Sequence, residues 1–184
     1  IAGAVTYVST ALPDVGPPPE LKVEITPARL ERGAYLANHV TLCMDCHSTR
    51  DWSRFSGPLV PGTLGKGGEV FDQKLNFPGR FVSKNITPFN LRDWSDGDLY
   101  RAITSGVSKD GQPFFPVMPY LNYNHLASED VYSIIAYLRT LPNIVLMAPK
   151  DGPELHEMLA FSLELGRPVG IRYARGGAPG IGDL

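Results

Sequence analysis

Thiols and imidazoles are scarce in this chain: its 184 residues include two cysteines, Cys43 and Cys46, and four histidines, His39, His47, His125 and His156. A closed zinc site takes four N or S ligands, and no second C-x-x-C or H-x-x-x-H cluster stands in the sequence to complete one. Excess positive charge is also missing. With 17 basic against 19 acidic side chains and a formal net charge of -2, nothing points to a nucleic-acid partner. No apolar run reaches the roughly 18 residues that a membrane-spanning helix requires.

The few sulfur and imidazole groups present are concentrated in one place. Cys43-Met44-Asp45-Cys46-His47 has the C-x-x-C-H spacing of c-type haem attachment: each thiol can add to one haem vinyl group, and the next residue is an imidazole able to reach the iron. A structural disulfide and a zinc site are the rival uses of two cysteines so spaced. A thiol-redox C-x-x-C would follow a strand in a β-α-β pattern, whereas the residues before Cys43 read as a helix.

Around this motif the chain divides into three parts. Residues 1–25 form an N-terminal extension, in which Ile1 to Leu12 is either the remnant of a signal or membrane anchor or an ordinary apolar segment lying on the domain. Val15 to Glu20, with Pro17-Pro18-Pro19, reads as a stiff linker. Residues 26–142 read as the domain proper. Thr26 caps and Pro27 opens a first helix carrying Leu30, Gly33, Ala34, Ala37, Val40 and Thr41 on one stripe; Gly33 is expected where another helix comes close. Ser95 and Asp98 signal a second helix ending near Gly106. A third opens at Ser128, carries Val131, Ile134, Ile135, Leu138 and Leu141, and stops at Pro142. Between Ser48 and Thr87 only turn signals occur, Gly57-Pro58, Pro61-Gly62, Gly65, Gly67-Gly68 and Pro78-Gly79, and a loop so long is expected to wrap a ligand. The fold class predicted is all-α, three or more helices with long loops and no strand alternation. Residues 143–184 form a C-terminal extension, a wrapping or docking tail. Within it Glu154 to Leu165 is expected to form a short amphipathic helix, and Arg175 to Gly180 a flexible end.

From about Thr26 to Leu141 the chain resembles a class I c-type cytochrome. The resemblance is carried by the helix leading into C-x-x-C-H, the Gly57-Pro58 loop, the Met118-Pro119-Tyr120 loop and the last helix, with Gly33 and Tyr137 matching the small-to-aromatic contact between first and last helices. Asn85-Ile86-Thr87-Pro88 and Gly106-Val107-Ser108-Lys109-Asp110-Gly111 are similar to mono-haem modules of bacterial membrane-associated electron-transfer chains, including dehydrogenase cytochrome subunits. The resemblance implies a cytochrome c fold around one haem c, covalent through Cys43 and Cys46, with His47 and Met118 as axial iron ligands. It gives the Pro58 carbonyl to the free ring N–H of His47. Met44, Met147 and Met158 are poorer ligands by position, and His125 is the competing sixth ligand. Asn85 and Trp94 are the first candidates to hold propionates or the haem edge, ahead of Arg80, Thr87 and Tyr120. Arg50 and Arg54 stand close after the motif.

The function expected is single-electron transfer between redox partners of a respiratory or dehydrogenase chain. The donor would be a dehydrogenase or quinol-oxidising complex, and the acceptor an oxidase or another cytochrome. On this reading the chain is not an enzyme by itself, and a periplasmic or otherwise extracytoplasmic location, possibly beside a membrane, is implied by the resemblance. The alternative is a haem enzyme or gas sensor with an open or labile sixth position, for which His125 or Tyr120 would supply a distal polar group.

Overall fold

The structure is a computed structural model, and it describes residues 2–142, 145–147, 149–164 and 169–171. These residues are mostly helical. In chain order the helices are α1 (Ala2–Ala11), α2 (Pro27–Tyr35), α3 (Cys43–Cys46), α4 (Asp96–Ser105), α5 (Tyr120–Tyr123), α6 (Ser128–Leu138) and α7 (Gly152–Glu164). Two short ladders accompany them: β1 (Val70–Phe71) with β2 (Phe81–Val82), antiparallel, and β3 (Val145–Met147) with β4 (Val169–Ile171), parallel.

Local chemistry accounts for the three main helices. The Thr26 hydroxyl accepts from the Arg29 N–H at 3.3 Å, and Pro27, with no N–H to satisfy, occupies the first turn of α2. At α4 a full capping box forms: Asp98 N–H donates to Ser95 Oγ at 3.0 Å and Ser95 N–H donates to Asp98 Oδ2 at 2.9 Å. Gly106, with φ of 67°, then ends that helix in the left-handed region. Helix α6 buries Val131, Ile134, Ile135 and Leu138 along one face, with Glu129 and Asp130 in its first turn.

Helices α2 and α6 cross in close contact at Gly33. A Cβ added there would run into the Ser133 carbonyl, whose carbon lies 2.6 Å away, and would come within 2.9 Å of Tyr137 Cβ. Two ion pairs flank the crossing, Arg29 to Glu129 at 3.0 Å and Arg32 to Asp130 at 2.8 Å. The core joins this pair to α4, with Leu36, Ala37, Met44, Leu91, Leu99, Ile103 and Leu141 packed against the α6 face.

The proline-rich N-terminal segment lies on the domain and runs over the start of α4. Val23 N–H donates to Asp96 Oδ2 at 2.8 Å, the Gly16 carbonyl accepts from the Arg101 guanidinium at 3.3 Å, and Gly97 has no side chain because the Pro19 carbonyl occupies that space. Asp96 also binds Arg139 at 2.7 Å, and Arg139 donates to the carbonyls of Leu91 and Trp94. That clamp ties the N-terminal segment, the loop before α4 and the end of α6 together. Among the described residues no helix is long and apolar enough to cross a membrane.

Three features depart from the sequence-based expectation. The first helix changes its winding to a π-turn over Leu36–Val40, closed by Thr41 N–H donating to the Leu36 carbonyl at 2.8 Å. The β1/β2 ladder is two residues deep, too short to leave a period-2 signature. The tail, expected to be a helix with loops, contains a parallel strand pair on either side of α7. Residues 175–180, expected to be flexible, lie outside the described residues.

Candidate haem site

The π-turn delivers the chain to the C-x-x-C-H motif at a fixed angle. Thr41 Oγ1 donates to the Leu36 carbonyl at 3.0 Å and stands 3.1 Å from Cys43 Sγ, while the Tyr123 hydroxyl donates to the Thr41 carbonyl. Leu42, at φ of 53°, turns the backbone into the one-turn helix α3. Cys43 and Cys46 open and close that turn as free thiols, both half-buried, so both point to the same side three residues apart. Burial pushes both thiols up from their ordinary value; at Cys46 the Asp45 carboxylate adds to it, and at Cys43 the Thr41 hydroxyl works against it. Burial likewise pushes Tyr123 up.

His47 follows as the C-cap of α3. Burial lowers its pKa, opposed by its bond to the Lys84 backbone, so the neutral ring is favoured. Its Nδ1 lies 2.7 Å from the Lys84 carbonyl, an acceptor that fixes the tautomer with a proton on Nδ1 and leaves Nε2 with its lone pair unprotonated. The carbonyl assigned to this role by resemblance, that of Pro58, accepts instead from the Asp51 N–H at 2.9 Å. The reason is local. Gly67 N–H donates to the His47 carbonyl at 2.7 Å, and a Cβ on Gly67 would stand 2.5 Å from the Lys84 carbonyl carbon, so the glycine draws the 83–84 backbone up to the histidine. Lys84 and Tyr123 have no signal in the sequence, and Thr41 is legible there only as part of the first helix's stripe. The glycine pair Gly67-Gly68 was read as a turn; its side-chain-free approach to a second loop had no signal in one sequence.

The remaining site residues fall in two groups. Met118 and Trp94 are half-buried and pack against the core, as do Leu59, Leu64 and Ile86. Met44, inside the motif, is a core residue at 1% exposure. Asn85 spends its Oδ1 on the Thr87 N–H at 2.8 Å and the Thr87 hydroxyl at 2.7 Å, shaping its own loop. Arg50 is committed to the carbonyls of Gly57 and Ser56 and to Asp45 at 3.3 Å. Arg54, Arg80, His39, His125 and His156 are exposed. Aromatic rings line the loops beyond the motif, with Phe81 stacked on Phe115 at 4.1 Å and Phe77 edge-on to both Phe71 and Phe81.

The donor set fits a haem c: two adjacent free thiols for its vinyl groups and one imidazole already oriented by its Nδ1 acceptor. Among the described residues no group of three His, Cys, Asp or Glu side chains gathers to hold a metal ion, so the pair of cysteines has no further ligands of the kind a zinc site needs.

Comparison with known proteins agrees with that chemistry. No family model matches the chain. It is 33% identical over 127 residues to the gluconate 2-dehydrogenase cytochrome c subunit of Pantoea cypripedii, a match covering 67% of this chain and 26% of that protein. It is 31% identical over 146 residues to the fructose dehydrogenase cytochrome subunit of Gluconobacter japonicus, covering 77% of this chain and 26% of that protein. The chain thus spans about a quarter of the length of these relatives. A second kind of likeness is short: 54% identity over 48 residues to the 1-deoxy-D-xylulose-5-phosphate synthase of Cyanothece sp., covering 26% of this chain and 8% of that enzyme.

A haem-attachment motif on a rigid helical turn, within a mostly helical domain, makes this chain a c-type cytochrome. Within that class it is related to the cytochrome c subunits of dehydrogenases.

Proposed function

We propose that the chain carries single electrons through one haem c, bound covalently by Cys43 and Cys46 and held between His47 and Met118 in a cytochrome c fold. The bound haem supplies a one-electron ferric/ferrous couple. The protein supplies attachment, orientation and exclusion of water. Cys43 and Cys46, on one helical turn, fix the position of the ring; His47, its Nδ1 proton engaged by the Lys84 carbonyl, offers Nε2 at constant orientation. Met118, between Pro116 and Pro119 and packed on the core, offers a thioether from a stiff loop. The Phe71, Phe77, Phe81 and Phe115 rings give the wrapping loops an apolar lining. Trp94 and Asn85 belong to those same loops.

The observation that carries this reading is the oriented imidazole beside two free thiols on one turn. With both axial positions filled by the protein, no substrate needs to reach the metal, and the chain serves as an electron-transfer unit of an oxidoreductase system and not as its catalyst. Relatives that are cytochrome subunits of dehydrogenases support a dehydrogenase as electron donor and a further redox protein as acceptor, met through small transient interfaces. They also support an extracytoplasmic site of work. The open-iron alternative is not favoured: of its two candidate distal groups His125 is exposed, and the Tyr120 ring is packed against Gly106.

The test is acid–organic extraction of the purified protein. The haem should stay with the polypeptide, and a Cys43→Ala, Cys46→Ala double variant should release it completely. Quantitative release from the unsubstituted protein would refute covalent attachment.

A further inference from the structure

We infer that the described residues 145–147, 149–164 and 169–171 are a β-α-β unit of an α/β layer that stands apart from the haem domain. The inference rests on the reading of residues 26–142 as the haem domain.

Three observations converge on it. The first is topology. Strands β3 and β4 pair in parallel, Val145 with Val169 and Met147 with Ile171, with α7 as the crossover. Parallel pairing through a helix belongs to α/β sheets, whose strands are covered on both faces, and it has no counterpart in the helices and loops that hold the haem motif. The second is incompleteness. Two strands and one helix cannot enclose a core, and α7 leaves Leu159, Phe161 and Leu163 exposed, Leu163 at 86%. Among the described residues none of β3, β4 and α7 packs extensively on a helix of the haem domain, whose main contacts run between α2, α4, α5 and α6.

The third is the pair of likenesses. The cytochrome matches take 67–78% of the chain and the synthase matches 26%, two unrelated kinds of likeness within one chain. Matches to cytochrome subunits belong with the haem motif at residues 43–47. On this inference the described tail elements neither wrap the haem nor contribute to its properties. The synthase likeness brings no synthase activity with it, since the match spans 7–8% of those enzymes.

Hydrogen exchange on the full-length holoprotein tests this. Amides of 145–171 should exchange on the order of 100-fold faster than those of α2 and α6, as a separate unit of low stability does. In an Ala160→Pro variant, which breaks α7, protection of α2 and α6, the haem spectrum and the midpoint potential should be unchanged. Equal protection of tail and α6 in the unsubstituted protein, or a loss of α2 and α6 protection in the variant, would overturn the inference. Absence of a haem spectrum in the unsubstituted protein would instead count against the proposed function.

Discussion

At the residue level, the site depends on backbone more than on side chains. His47 is oriented by a carbonyl 37 positions later in the chain, and that carbonyl is brought in by a glycine with φ of 71°. Such a contact leaves no mark in a single sequence, which is why Lys84 went unread and Gly67 was legible only as a turn, while the cysteines and histidine of the motif were plain. Asn85 shows the opposite case: its side chain was legible as polar loop chemistry, but its oxygen caps its own turn. Gly67→Ala should force the 83–84 backbone away from His47 and weaken the Nδ1 hydrogen bond. A less electron-rich imidazole stabilises the ferric state less, so the midpoint potential should rise, on the order of 50 mV for a near-tenfold imbalance between oxidation states. Potentiometric titration of the variant checks this; an unchanged potential would mean that the Lys84 contact does not tune the ligand.

Among the elements, α2, α4 and α6 were legible because each carries its own start signal and an apolar stripe, at Thr26-Pro27, Ser95/Asp98 and Ser128 onward. The first of the three bends into a π-turn whose cause, the Thr41 bonds to Leu36, is tertiary in its consequences and invisible to periodicity. Gly33 was legible as a point of close approach, and the structure supplies the neighbour, the Ser133 carbonyl. Gly33→Ala should therefore destabilise the holoprotein by roughly 2 kcal/mol or more in urea unfolding, since neither backbone can yield without opening the α2/α6 crossing. A smaller loss, within about 0.5 kcal/mol, would mean the helices can slide apart freely. Beside the same crossing, Arg32 holds the Asp130 carboxyl below its ordinary value of 3.8. A depressed folded-state pKa contributes stability that is present above the unfolded value and lost as the pH falls through the folded one. The stability difference between the protein and an Asp130→Asn variant should accordingly be largest near neutral pH and shrink below pH 3.8, as followed by urea midpoints across that range; a difference that grows in acid would contradict the ion-pair origin.

Across the whole molecule, the irregular stretch from Ser48 to Thr87 is the part that the proposed function assigns to wrapping the haem. Its turns are set by glycines and its aromatic rings stack on one another at the edge of the helical core. The sequence leads to the expectation of a wrapped prosthetic group because so long a loop in so small a domain suits that use. It did not foretell the parallel β-α-β unit of the tail, because three-residue strands carry too little pattern and their partnership spans residues 145 to 171. The central claim concerns the iron's two axial positions, and optical spectroscopy reads both at once. The purified protein should show the weak far-red band of methionine-ligated ferric haem and, once reduced, no spectral change under carbon monoxide, whereas Met118→Ala should lose the band and bind carbon monoxide readily. Rapid carbon monoxide binding by the unsubstituted protein, with no far-red band, would contradict the closed His47/Met118 site and with it the electron-carrier account.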